Sequence, residues 1–217
     1  MNFKRLTLAA VAALLAAGSA QATLTPTFTS FGALPVATFG GTGIPNNAVA
    51  ITTFGTGGVI ALNATQRFGN PTVTNDGAGR YSASPGVDQT SATSISALYA
   101  RWNFNFYIND ASQGNAYQLF MDVNPTVGED FKSFGSASVA GVSQDSWNLG
   151  FNGFESFLGY SFDPRSAGEY SFILTASKGR AEVARTSMVV QVVPEPGTLA
   201  LMGFALAGLA GLRRRKA

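Results

Sequence analysis

The sequence predicts an all-β fold, an antiparallel β-sandwich or jelly-roll-like domain, and three observations carry that expectation. Charged residues make up only 12% of the 217 residues, while the small polar and aromatic residues that suit turns and pleated surfaces are abundant. Apolar and polar residues alternate with a period of two in several stretches, as strands with one buried face require. Turn pairs such as Gly57-Gly58, Asp76-Gly77 and Asp163-Pro164 recur at short intervals, with no convincing amphipathic helix between them. Cysteine and histidine are absent altogether, so stability has to come from apolar burial and sheet pairing without covalent staples.

The first 22 residues stand apart from that pattern. Lys4 and Arg5 precede an apolar run over 6–17, and Ala20-Gln21-Ala22 forms a small-x-small site. This is the three-part layout of a helical secretory signal peptide, cut after Ala22, and it implies export through the Sec machinery. Residues 23–193 are then the passenger domain. Its first part predicts strands over 48–54 and 59–67, followed by a loop-like, protruding stretch over 70–94. In "YARWNFNFYIND", Trp102, Phe104, Phe106 and Ile108 share one parity, whereas Arg101, Asn103, Asn105 and Asn109 share the other, so the segment predicts a core strand with a wet outer face. "AYQLFMDV" repeats the alternation, with Tyr117, Leu119, Met121 and Val123 on one side. Further strands are expected over 146–151, 157–162, 169–176 and 181–192.

The C-terminus changes character again. Pro194 and Pro196 lack an N–H and hold φ near −65°, so the strip around Glu195 stays extended. Residues 198–212 carry no charge, and Arg213, Arg214, Arg215 and Lys216 follow. As a helix those fifteen residues would be roughly 23 Å long, short against a hydrocarbon core of about 30 Å. The flanking cations can reach the headgroups and favour a cytoplasmic end. The reading is a single transmembrane helix over 197–212 with a basic stop over 213–216.

Pro194-Glu195-Pro196, the apolar run and the basic tail together resemble the PEP-CTERM sorting signal of Gram-negative bacteria. That resemblance implies processing by exosortase, a membrane cysteine protease or transpeptidase. It makes Pro194, Glu195 and Pro196 recognition residues within a signal spanning 194–217, and it associates the protein with exopolysaccharide and biofilm.

Charge and composition exclude several function classes. Setting aside the terminal segments leaves residues 23–193 with eight cations and eleven anions, a net charge of −3, which gives no footprint for nucleic acid. Without His or Cys there is no triad of the Ser-His-Asp or Cys-His kind and no imidazole or thiolate metal site. No cofactor is expected, except that Asp122, Asn124, Glu129 and Asp130 in "DVNPTVGED" supply the oxygen ligands Ca²⁺ takes. A pair drawn from Asp110, Asp122, Glu129, Asp130, Asp145, Glu155 and Asp163 could hydrolyse a glycoside if two of them flanked a cleft. Tyr107 breaks the polar parity of its strand and is the expected outward aromatic for a sugar ring. The reading is thus a non-enzymatic, exported structural or adhesive protein. It passes through the inner membrane with its domain on the periplasmic side, reaches the cell surface or matrix, and contacts exopolysaccharide; a carbohydrate-binding or glycosidase-like secreted enzyme is the alternative.

Overall fold

Trp102, Phe104, Phe106 and Ile108 lie on one face of a single nine-residue strand and are all buried. The alternation in the sequence does place four large apolar groups together. The strand belongs to a computed structural model that describes residues 24–111, 114–125, 128–151, 154–156 and 159–194.

In chain order the strands are β1 (Ser30–Gly32), β2 (Val49–Phe54), β3 (Gly58–Gln66), β4 (Thr74–Asn75), β5 (Arg80–Ala83), β6 (Trp102–Asp110), β7 (Ala116–Asp122), β8 (Phe131–Ser138), β9 (Gly141–Trp147), β10 (Gly168–Lys178) and β11 (Ala181–Val192). One short helix, α1 (Ala92–Ser96), precedes β6. The first sheet runs β1-β2-β3-β6-β9, and the second runs β4-β5-β11-β10-β7-β8. Each pairing is antiparallel except that of β5 with β11, which is parallel. Apolar residues of both sheets form one core, in which Phe104 of the first sheet stacks on Phe172 of the second at 4.6 Å and Trp102 meets Tyr170 at 5.5 Å. Aromatic pairs of this kind add to plain area burial.

Ring contacts and registers fix which strand ends lie together. Trp102 is opposite Gln66 and above Tyr170, two residues into β10, whose first residue Gly168 is opposite Val192. The C-terminal ends of β3, β5 and β11 and the start of β6 therefore share one end of the sandwich, called here the exit end because the chain leaves β11 there. Gly168 has to be glycine at this place: its φ is +147°, and a Cβ would sit 2.5 Å from the backbone oxygen of Pro125.

The structure corrects several sequence expectations. The stretch over 70–94 is no protruding loop, since it contributes β4 and β5 and buries Val87, Asp88 and Ser94. Its strand signal is only four residues long in β5 and two in β4, its hairpin partner across Asp76-Gly77, and the other partner, β11, lies about a hundred residues further on. The outer face of β6 is not wet. Asn103, Asn105 and Tyr107 are buried there, and Ala37, Phe39, Val49, Ile51, Ala61 and Tyr107 form a second small core over the first sheet. The amide donors are used locally, with Asn105 Nδ2 donating to Asn63 Oδ1 at 2.8 Å and Asn63 Nδ2 donating to the Pro45 carbonyl at 3.0 Å, while Asn105 Oδ1 is buried without a partner among the described residues. The expected strand over 146–151 ends at Trp147, because Asn148 turns the chain, and residues 159–162 are not in a strand. β8 was missed because Lys132, Gly135 and its serines show no alternation. It is an edge strand whose register with β7 shifts between Gln118 and Phe120.

Phe172 is fully buried and touches both Trp102 and Phe104. Phe172→Ala is expected to lower unfolding free energy by about 3–5 kcal/mol, read as a shift of the urea midpoint at unchanged slope. A loss below about 1 kcal/mol would mean that the two sheets do not meet through this ring.

Candidate functional site

β11 is twelve residues long and is flanked by β10 and β5. Val189, Val190 and Val192 are buried, as apolar residues in a central strand should be. One further bond continues the ladder beyond it, from Val193 N to the Ala83 carbonyl at 3.0 Å. Pro194 follows, exposed and without an N–H to donate. The pairing therefore stops where the proline requires it to stop.

The exit end is closed by residues 84–101, which cross from β5 in the second sheet to β6 in the first. Gly86 N donates to the Pro164 carbonyl at 2.7 Å, Val87 bridges Ala100, and Asp88 N donates to the Tyr99 carbonyl at 2.7 Å. Asp88 is fully buried and is the polar centre of the segment. It accepts from Arg67 Nε at 2.9 Å, Asn70 Nδ2 at 2.8 Å, Thr90 N at 3.0 Å and Thr90 Oγ1 at 3.0 Å. Burial by itself would raise its carboxyl, but the hydrogen bonds from Asn70, Thr90 and Ser94 outweigh it and hold the group well below the usual carboxylate range. The Arg67 guanidinium lies over the rings of Phe68 at 4.7 Å and Tyr99 at 4.8 Å. Ser91 then caps α1, its Oγ accepting from Ser94 N at 3.1 Å.

Asn148 holds the other side of this crossing. Its Oδ1 accepts from Ala100 N at 2.9 Å and Gly150 N at 3.1 Å, and its Nδ2 donates to the Ala100 and Trp102 carbonyls and to Asn103 Oδ1. Sequence reasoning missed both Asp88 and Asn148. The spacing of Asp88 and Thr90 is a local Asx-type signal that could have been read, but nothing in the sequence links either residue to Arg67 or Ala100.

The expected site residues fall in separate places. Tyr107 is only 3% exposed. Its ring does face away from the inter-sheet core, but Phe39 and its neighbours cover it, which corrects the expectation of an outward aromatic. Asp122, Asn124, Glu129 and Asp130 share the turn between β7 and β8. Asp122 is buried and accepts from Asn124 N at 3.2 Å, while Asp130 pairs with Lys132 at 3.1 Å. Burial raises the Asp122 carboxyl, with bonds from the Asn124 and Asp130 backbone opposing and the charges of Asp130 and Glu129 adding to the rise. Among the described residues no three acidic side chains converge as a metal group.

The remaining carboxylates are bound locally: Asp110 to Asn115, Asp145 to Ser146 N and Trp147 Nε1, Glu155 to Phe162 N, and Asp163 to Arg165 N. Three cavities of about 260–350 Å³ are lined without an Asp or Glu. The largest of the three, about 350 Å³, is a groove beside the exit end lined by Gly41–Pro45, Thr65–Phe68, Asn103 and Ser146. Its hydroxyls and amides could receive a polar, neutral ligand. Ala20, Ala22, Glu195, Pro196, Arg213, Arg214, Arg215 and Lys216 lie outside the described residues. Within the described residues no helix is long and apolar enough to cross a membrane.

Comparison with known proteins bears on the exit of β11. A family model described as the PEP-CTERM protein-sorting motif matches residues 192–216. The match begins on the last residue of β11 and takes in Pro194-Glu195-Pro196, the uncharged run and the basic tail, and the motif implies processing by exosortase. No curated protein and no solved structure matches the chain.

The Asp88 geometry fixes the sign of a pH effect. A carboxyl depressed in the fold contributes stability that is present above its unfolded pKa, about 3.9, and is lost as pH falls through the folded value. Asp88→Asn should cost about 3 kcal/mol at pH 7 because the mostly buried Arg67 loses its charged partner. That difference should shrink as pH falls below the usual carboxylate range. Denaturant unfolding of both proteins from pH 7 downward reads it, and a gap unchanged by pH would show that Asp88 contributes nothing through its charge.

Proposed function

We propose that this is an exported, non-enzymatic β-sandwich that works at the cell surface or in the extracellular matrix. Its route begins with removal of residues 1–22 after Sec export. Residues 197–212 then hold it transiently in the inner membrane with the sandwich on the periplasmic side, and exosortase acts at Pro194-Glu195-Pro196. The observation that carries this reading is the junction itself. The sorting motif is joined to an interior strand of a six-stranded sheet, with one backbone bond past the strand and an exposed proline immediately after it. Proteolytic enzymes take their substrates as extended strips, and Pro194 presents such a strip beyond a domain whose own strands are already paired.

A structural or adhesive role accords with the rest of the molecule. The candidate carboxylates serve turns and loop closures, and the cavities above carry none of them. Contact with exopolysaccharide would fall to the groove beside the exit end. The partly exposed Gln66 and Ser146 offer a neutral amide and a hydroxyl there, the chemistry that pairs with sugar hydroxyls.

Replacing Pro194-Glu195-Pro196 by three alanines in a host with exosortase should leave the basic tail on the product and hold it in the membrane fraction. Intact mass should show the wild-type product starting at Thr23 and lacking 213–216; an unchanged size and location in the variant would refute the sorting role of the tripeptide. Affinity electrophoresis through gels containing the host exopolysaccharide should retard the wild-type protein and retard Gln66→Ala less. Equal, unretarded migration of both would remove the polysaccharide contact.

A further inference from the structure

Seven large apolar side chains stand exposed among the described residues, and they are unevenly placed. Phe68 is 67% exposed, Val193 48%, Ile95 44% and Leu98 43%, and all four belong to the exit end or to the segment that closes it. Val142 and Val183 lie at the opposite end, near the β6–β9 start and the β10–β11 turn. Val36 lies in the segment preceding β2.

Phe68 is held outward at some cost, since its φ is +47°, a region disfavoured for residues with a Cβ. The mostly buried Arg67, paired to Asp88, lies against its ring from the inner side, so the ring alone is presented outward. Ile95 and Leu98 flank the end of α1, and the Leu98 φ of +54° is left-handed as well.

Chain length says what this end faces. From Val193 to Gly197 there are four Cα steps, which reach roughly 14 Å at full extension. The headgroup layer on one side of a bilayer takes up about 5–8 Å of that. The uncharged run over 198–212 is, as a helix, roughly 23 Å long against about 30 Å of hydrocarbon. That mismatch draws Gly197 inward and the exit end towards the headgroups.

From these observations we infer that the exit end is a membrane-docking surface, with Phe68, Ile95, Leu98 and Val193 seated in the interfacial region of the bilayer. The inference rests on the transient anchoring proposed above and deepens it. The docked side is the β5 side of β11. The acidic turn with Glu129 and Asp130 lies across β10 and β7 on the other side, where repulsion by anionic lipid tilts it outward. Such a tilt leaves Pro194 at the edge of the contact, open to a membrane-embedded enzyme. Processing then frees the domain from the only covalent tie that holds this weakly apolar surface in place.

The absence of cysteine makes the test clean. Full-length single-cysteine variants Phe68→Cys, Ile95→Cys and Leu98→Cys, with Val142→Cys and Val183→Cys as references, are labelled with an environment-sensitive fluorophore. They are then reconstituted into phosphatidylethanolamine–phosphatidylglycerol vesicles with and without nitroxide-bearing lipid. The first three labels should shift to the blue and lose emission to the nitroxide lipid, and the two references should do neither. If the chain sediments with the vesicles while all five labels behave alike, docking is refuted and anchoring stands. A blue shift without lipid quenching would mean that a second copy covers the surface, which also refutes docking. A chain that fails to sediment with the vesicles overturns anchoring and docking together.

Discussion

The pairing of β11 with its two neighbours is the constraint on which the rest of the molecule depends. β10 matches it from Gly168–Val192 to Lys178–Ala181 with one register shift, and β5 matches it in parallel from Arg80–Val189 to Ala83–Val192. β4 and β5 reach the rest of the second sheet only through this strand. The segment 84–101 starts from β5, so the closure of the exit end is fixed by the same ladder. The buried Val189, Val190 and Val192 supply the apolar face, and Pro194 supplies the stop.

Without disulfides, long-range closure falls to a few buried polar groups. Asp88 gathers Arg67, Asn70 and Thr90, while Asn148 ties the Ala100 and Trp102 backbone to the turn after β9. Asn105, Asn63 and Thr65 do similar service under the segment that covers the first sheet. A buried polar group stabilises a fold only when it is hydrogen-bonded. The donors of these amides and the Asp88 carboxylate are thus spent on closing the fold, which accords with the lack, among the described residues, of an acidic cluster that could hold a metal. Asp122 follows the same logic, buried at the end of β7 with its oxygen taken by the turn it caps.

The all-β class and the core strands were legible because they depend on local alternation. Trp102 to Ile108 and Tyr117 to Met121 each announce a buried face within seven residues or fewer. What escaped was set by partners far away in the chain. β5 becomes a strand because β11 passes beside it, and the outer face of β6 is dry because residues 34–44 lie across it. Tyr107 illustrates the limit: its parity says that it points away from the inter-sheet core, which is so, but parity carries no information about a second covering layer. The tail was legible for the opposite reason. Two prolines around a glutamate, an uncharged run and four cations owe their meaning to their own order along the chain, with no tertiary partner needed.

That difference has a consequence for how export and folding meet. β11 is the last strand among the described residues, and without residues 181–192 the second sheet is in two parts, β4–β5 and β10–β7–β8. On the reading proposed here the sorting signal follows within two residues, and the sheet closes at about the moment the membrane segment is delivered. Once closed, β11 is held along both edges, and tension along the tether loads its ladders in shear, so that many bonds resist together. A junction drawn out from an unpaired strand would present Pro194 together with a stretch of loose chain. On the same reading, the strip offered to a membrane enzyme starts one residue beyond the bond from Val193 to Ala83, so its starting point is set by the geometry of the sheet.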